Sequence, residues 1–214
     1  MRRATEGRAG DGSQRLSRFD RIERAVHWVN AVLFAVLLAT AAALYIPSVS
    51  ALVGRREMVK ALHVYSGLAL PVPLLLSAAG PWGRRLRRDL GRINRWSADD
   101  VRWMRSLGRD GFARLGKFNP GQKLNAAFTA GAIVVMLGTG SIMHWFHYFP
   151  VDWRTGATFV HDWLAIALFV VITGHVGSAL ADPDALLGMV RGWVPARWAR
   201  ERRPRWHDEL QGDE

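Results

Sequence analysis

Cysteine is absent from all 214 residues. That absence excludes disulfides, thiolate-held iron–sulfur clusters, thiolate zinc sites and covalently attached c-type haem. Any metal must therefore rest on His, Met or carboxylate. Charge is almost missing from four long apolar runs, at 25–46, 61–79, 124–145 and 158–181. Each approaches or exceeds the requirement of about 20 residues for crossing a bilayer. They also lack the polar stripe of a soluble bundle helix, as AVLFAVLLATAAALYI and FTAGAIVVMLGTG show. The first twenty residues lack both the apolar core and the small-residue cleavage site of a removable signal. They are expected to form a mobile cytoplasmic arm, with the first span as its own insertion signal. The chain has no internal repeat and no low-complexity tract. The expected fold is an all-α integral membrane four-helix bundle over 21–182, followed by a cytoplasmic tail over 183–214.

What is abundant is positive charge, with 29 Lys and Arg against 18 Asp and Glu. Its location decides its meaning. The N-terminal segment holds 7 of the basic residues, the connector 81–123 holds 12 and the tail holds 6, while the other two connectors hold 3 and 1. This is the positive-inside pattern, which puts both termini and the central loop in the cytoplasm and explains the basic charge without nucleic acid. Trp28, Trp82, Trp145 and Trp163 stand near predicted span ends, where an interfacial aromatic belt belongs.

Histidine carries the chemistry. His161 and His175 lie fourteen residues apart in VHDWLAIALFVVITGHVGSAL. Fourteen steps of about 100° fall about 40° short of four turns, so both imidazoles face one way, about 21 Å apart along the axis. With the N-terminus inside, His27 lies near the inner edge of span one and His63 near the outer edge of span two. Depth then pairs His63 with His161 and His27 with His175. Imidazole is a good haem-iron ligand, and a haem held on both faces transfers electrons without an open coordination position. Gly67, Gly138, Gly140 and Gly174 are small residues that permit close approach between helices. Arg24 and Lys60, each one turn before a paired histidine, are candidate propionate partners. His144 and His147 have no depth-matched partners and read as interfacial residues. His207 reads as a solvated tail residue, and Met136 and Met143 as packing residues. Pro71 and Pro73 predict a kink or early end in span two. Ser97 is expected to cap a short surface helix that carries Trp103 and Met104. Asp182-Pro183 should stop span four.

The junction Gly116-Lys-Phe-Asn-Pro-Gly-Gln-Lys123, followed by an apolar span with Gly138-Thr-Gly140, resembles the dihaem cytochrome b (gamma) subunit of respiratory formate dehydrogenases. The resemblance runs from about Arg18 to Ala181 and includes the fourteen-residue histidine spacing. The wider family contains the bacterial cytochrome b561 proteins and the cytochrome b subunits of nickel–iron hydrogenases. The resemblance implies two haem b groups, the outer on His63 and His161 and the inner on His27 and His175. It further implies electrons arriving from an iron–sulfur subunit, with a catalytic dehydrogenase subunit behind it, and leaving to menaquinone near the cytoplasmic face of the bacterial inner membrane. The motif asparagine, here Asn119, would lie at the quinone site, where an amide can hydrogen-bond a quinone oxygen. Its other reading is a cap for span three. Phe118 and Pro120 depart from the Tyr and Ala common in the family.

Formate chemistry itself must belong to partner subunits, because the chain has neither a pterin domain nor cluster ligands. Three rivals remain: a stand-alone cytochrome b561-like quinone oxidoreductase, a hydrogenase cytochrome b subunit, and a haem-free membrane anchor or scaffold. Co-purifying large subunits would separate the complex-bound readings from the stand-alone one, and the absence of a Soret band would favour the scaffold.

Overall fold

The computed structural model describes residues 14–109 and 114–212. Most of the arm expected over 1–20 lies outside the described residues. The chain runs β1 (Arg15–Ser17), α1 (Arg21–Tyr45), α2 (Pro47–Val53), α3 (Arg56–Ala69) and α4 (Val72–Ala79), then a 3-10 turn at Pro81–Gly83. It continues through α5 (Arg84–Ile93), α6 (Ala98–Arg105) and α7 (Pro120–His144), a second 3-10 turn at Phe146–Tyr148, and α8 (Val151–Leu180). It ends in α9 (Pro183–Arg191), β2 (Trp193–Pro195), α10 (Ala196–Arg202) and α11 (Pro204–Gly212). Among the described residues, four helical stretches are long and apolar enough to cross a membrane: Arg21–Tyr45, Arg56–Ala79, Pro120–His144 and Val151–Leu180. The fold is thus an all-α membrane architecture with one small β-ribbon added.

The residues at helix starts explain several boundaries. Three helices begin with a reciprocal capping box, in which a side chain before the helix accepts from the third helical N–H and that residue's side chain returns the bond. Asp20 and Glu23 form it at α1, at 2.8 and 2.7 Å. Ser97 and Asp100 form it at α6, where the sequence predicts a cap. Asn119 and Gln122 form it at α7, at 2.8 and 3.0 Å, with Pro120 at the first helical position, where its missing N–H costs nothing. The second span breaks between α3 and α4 at Leu70-Pro71, as its two prolines predict. Asp182 accepts from the Ala185 N–H at 3.0 Å and so starts α9 where α8 has stopped.

The chain forms two compact units. One comprises 25–84 and 127–176, and holds the apolar parts of the four spans and all four paired histidines. Its large apolar side chains point outward: Val32 is 62 % exposed and Val134 is 70 % exposed. A soluble domain would bury such residues, whereas a lipid-facing surface requires them.

The other unit gathers 14–24, 85–109, 114–126 and 177–212, which include the arginine-rich segments. Here the structure departs from the sequence reading at two places, the arm residues 14–20 and His207. The chain is tied down from Gln14 onward, because β1 pairs antiparallel with β2, Leu16 opposite Val194. The tail is folded as well, around Val194, Trp198, Ala199 and Trp206. Asp182 accepts from the Trp198 indole at 3.0 Å, which anchors that core to the end of α8. His207 is consequently buried on α11 and not solvated. Gly192 closes α9 at φ +89, and a Cβ there would lie 2.7 Å from the Phe19 carbonyl oxygen. That carbon has no room, and Gly192 also presents its own carbonyl to the Arg18 and Phe19 N–H groups.

Candidate functional site

Within the membrane unit the histidines meet as two pairs. The His27 and His175 ring centroids are 6.2 Å apart with planes inclined by 60°. The His63 and His161 rings are 6.3 Å apart and inclined by 59°. One geometry thus recurs at two positions along α8. A metal midway between two imidazoles, about 2 Å from each coordinating nitrogen with about 1 Å more to each ring centre, requires a spacing of roughly 6 Å. Direct hydrogen bonding between rings would bring them closer. Among the described residues, no group of three or more His, Cys, Asp or Glu gathers as a protein-only metal cage would. Two axial imidazoles per site suit a haem, whose macrocycle supplies the other ligands.

The His63–His161 pair carries a further feature that the sequence reading missed. His63 Nδ1 lies 2.9 Å from Thr40 Oγ1, and His161 Nδ1 lies 2.9 Å from Thr139 Oγ1. Each hydroxyl is also within bonding distance of a carbonyl one turn back, Thr40 to Val36 at 2.7 Å and Thr139 to Val135 at 2.8 Å. A hydroxyl has one proton, and a backbone carbonyl can only accept it. With the hydroxyl proton directed to that carbonyl, Nδ1–H of each histidine can donate to its threonine oxygen, which leaves the lone pair on Nε2. This orientation is the one a metal-ligating imidazole needs. The sequence signal was present in two threonines within otherwise apolar spans, one of them inside Gly138-Thr-Gly140. Spacing within a single helix could not link either threonine to its histidine.

Of the glycines singled out above, Gly140 does what was expected of it. A Cβ there would stand 3.3 Å from His161 Cε1, so the missing side chain lets α7 approach the ring. Gly67 makes only an ordinary contact, 3.8 Å to Leu37, and a Cβ at Gly138 or Gly174 would meet nothing within 4 Å beyond its own helix backbone among the described residues. His144 ends α7 and His147 sits in the following 3-10 turn, both exposed and apart from the two pairs. Lys60 is exposed one turn before His63. Arg24 instead donates to the Val190 carbonyl at 2.9 Å.

In the other unit, Asn119 is the capping residue that its alternative reading described. Its Oδ1 accepts from the Gln122 N–H at 2.8 Å, and this bond does not use the amide NH2. Beside it lies a buried charge network. Lys117 pairs with Asp89 and lies 3.9 Å from Glu23. Burial lowers the Lys117 pKa, while Asp89 and Glu23 oppose that shift. Lys123 donates to Asp100 at 2.8 Å and to the Arg95 carbonyl at 2.7 Å.

The profile of the prokaryotic cytochrome b561 proteins matches residues 18–192, most of the chain and all four paired histidines. The chain belongs to this family. A b-type cytochrome carries haem b. It is similar to the cytochrome b556(fdo) subunit of formate dehydrogenase from Escherichia coli strain K12, at 28 % identity over 91 % of this chain and 92 % of that one. The nitrate-inducible cytochrome b556(Fdn) subunit of formate dehydrogenase from the same strain is 26 % identical, over 93 % of each chain. The formate dehydrogenase cytochrome b556 subunit of Haemophilus influenzae is 27 % identical over 87 % of this chain and 79 % of its own. This b561-family chain is therefore a multi-pass membrane cytochrome b with an electron-transfer role.

Proposed function

We propose that this cytochrome is the dihaem electron-transfer subunit of a formate dehydrogenase-type complex in the bacterial inner membrane. It takes electrons from an iron–sulfur subunit at the outer face, with a catalytic dehydrogenase subunit behind it, and delivers them to menaquinone near the cytoplasmic face. The observation that carries the reading is the repeat of one ring geometry, 6.2 and 6.3 Å between centroids, at two places on α8. The named relatives, all subunits of formate dehydrogenases, support the choice of complex.

Bound haem would supply one-electron redox chemistry, with His63 and His161 holding the outer group and His27 and His175 the inner one. Thr40 and Thr139 would orient the imidazoles of His63 and His161 so that Nε2 is free to hold that haem. Asn119 offers its amide NH2 to a quinone oxygen while its Oδ1 holds the start of α7. Reduction of the quinone to the quinol consumes two electrons and two protons, and the protons come from the cytoplasmic side. Electrons arriving from outside and protons taken from inside together charge the membrane without a pump.

A reduced-minus-oxidised visible spectrum with extracted haem counted per chain tests the assignment. Two low-spin b haems per chain are expected, whereas haem-free protein after expression with ample haem supply overturns the reading. Replacing Thr40 and Thr139 together by valine keeps the side-chain shape but removes both Nδ1 acceptors. Loss of such supporting partners costs about 10–100-fold in metal-site affinity. Haem retention is expected to fall at the outer site alone, leaving close to one tightly held haem per chain, as read by haem extraction against a competing apoprotein.

A further inference from the structure

The unit that gathers the basic segments contains a cavity of about 600 Å3 between α5, the 116–118 segment and α11. Five arginines and two lysines line it, against one carboxylate, Glu209. The lysines are spoken for, since Lys117 pairs with Asp89 and Glu23 and Lys123 with Asp100. Arg92 leans on Asp89 at 3.3 Å and on Glu209 at 3.4 Å. These four acids face the two lysines, Arg92 and Arg205, while Arg88 and Arg95 have no ion-pair partner among the described residues. Arg88 and Arg95 are exposed, and Arg205 is only 3.9 Å from Glu209. An unbalanced group of guanidinium forks on a concave surface is suited to phosphate, which each fork can grip through two parallel N–H···O bonds.

The setting identifies the source of that phosphate. α5 begins immediately after the 3-10 turn that closes the second span. It is strongly amphipathic, with Leu86, Leu90 and Ile93 partly buried and Arg84, Arg85, Arg87 and Arg88 exposed. Trp82 before it and Trp96 after it are 60 % and 46 % exposed, and Trp96 also lines the cavity. Exposed tryptophans flanking a basic amphipathic helix mark a segment that lies in the headgroup layer. Basic concavities at that level on the cytoplasmic side are fitted to anionic headgroups.

We propose that this cavity is a binding site for the phosphate group of an anionic phospholipid in the cytoplasmic leaflet, gripped by Arg88 and Arg95. The lipid would tie α5 and α11 to the membrane surface, independently of haem or quinone. The test uses the full chain, purified in neutral detergent, with thermal unfolding followed by tryptophan fluorescence. Phosphatidylglycerol, phosphatidylcholine and inorganic phosphate are titrated separately. Phosphatidylglycerol is expected to raise the Tm saturably, as a ligand of the folded state does, while phosphatidylcholine leaves it unchanged. Each Arg→Gln change at Arg88 or Arg95 should weaken the apparent affinity about tenfold, the worth of one charge-assisted hydrogen bond. An Arg88→Lys/Arg95→Lys protein should retain part of the effect, and it also controls for folding. If inorganic phosphate at millimolar concentration gives the whole shift and phosphatidylglycerol adds nothing, the site is for a soluble phospho-anion and the lipid assignment falls. An equal response to phosphatidylcholine, or an unchanged response in both glutamine variants, overturns the site.

Discussion

A His175→Ala protein is expected to retain one haem per chain instead of two and to lose quinone reduction by more than about 100-fold. The loss should exceed the 10–100-fold cost of removing a supporting partner, because His175 is itself an axial ligand in the proposed scheme. His175 faces His27, whereas His63 and His161 are held by threonines of their own. The outer site lies about 21 Å away along α8 and shares no side chain with the inner one. The fold should survive, because His175 is exposed in the helix and contributes little packing. The measurements are haem per chain, the reduced-minus-oxidised spectrum and turnover with a menaquinone analogue. Two retained haems with full turnover would dismiss the pairing. His161→Ala is the reciprocal experiment, in which the remaining haem should keep the spectrum of the inner site.

The pairing was legible in the sequence because a helix converts spacing into direction and a membrane converts position into depth. His161 and His175 could be placed on one face of one apolar helix from numbers alone, and charge asymmetry between connectors ordered the other two histidines. The kink at Leu70-Pro71 and the cap at Ser97 were equally local and equally readable. Contacts across the chain were not. β1 finds its partner at β2, about 180 residues later, and three-residue strands carry no usable alternation. The tail reads as polar because its apolar residues, Val194, Trp198 and Trp206, are scattered among arginines, yet they converge on one small core and bury His207 with them. For Asn119 the sequence left two readings open. The structure gives its Oδ1 a place in the α7 cap, accepting from the Gln122 N–H.

The buried pair of Lys123 and Asp100 should dominate the stability of the basic unit. Both side chains are almost wholly enclosed, at 3 % and 1 % exposure. Burial alone would push the Asp100 pKa up, but hydrogen bonds from Lys123 and Ser97 override it and hold the carboxyl below its ordinary range. A carboxyl lowered on folding contributes stability that is complete above its unfolded pKa, about 4. That contribution is lost as pH falls through the lower folded value. Acid should therefore loosen α6 from the start of α7 below about pH 4. Asp100→Ala should have the same effect at neutral pH, and more severely, since it leaves the Lys123 ammonium buried without its carboxylate. Breaking one half of such a pair costs about 3–5 kcal/mol, and loss of the Ser97 capping box adds about 1 kcal/mol. Amide hydrogen exchange across Ala98–Arg105 should accelerate more than about 100-fold, while the histidine-bearing helices keep their protection. Because Lys123 lies one turn beyond Asn119, the α7 cap should also fray and the apparent KM for quinone should rise more than kcat falls. An Asp100→Ala/Lys123→Met double variant, which removes both charges and keeps an apolar stem, should recover most of the protection. If the double variant exchanges as fast as Asp100→Ala alone, the loss comes from the cap and not from the stranded ammonium.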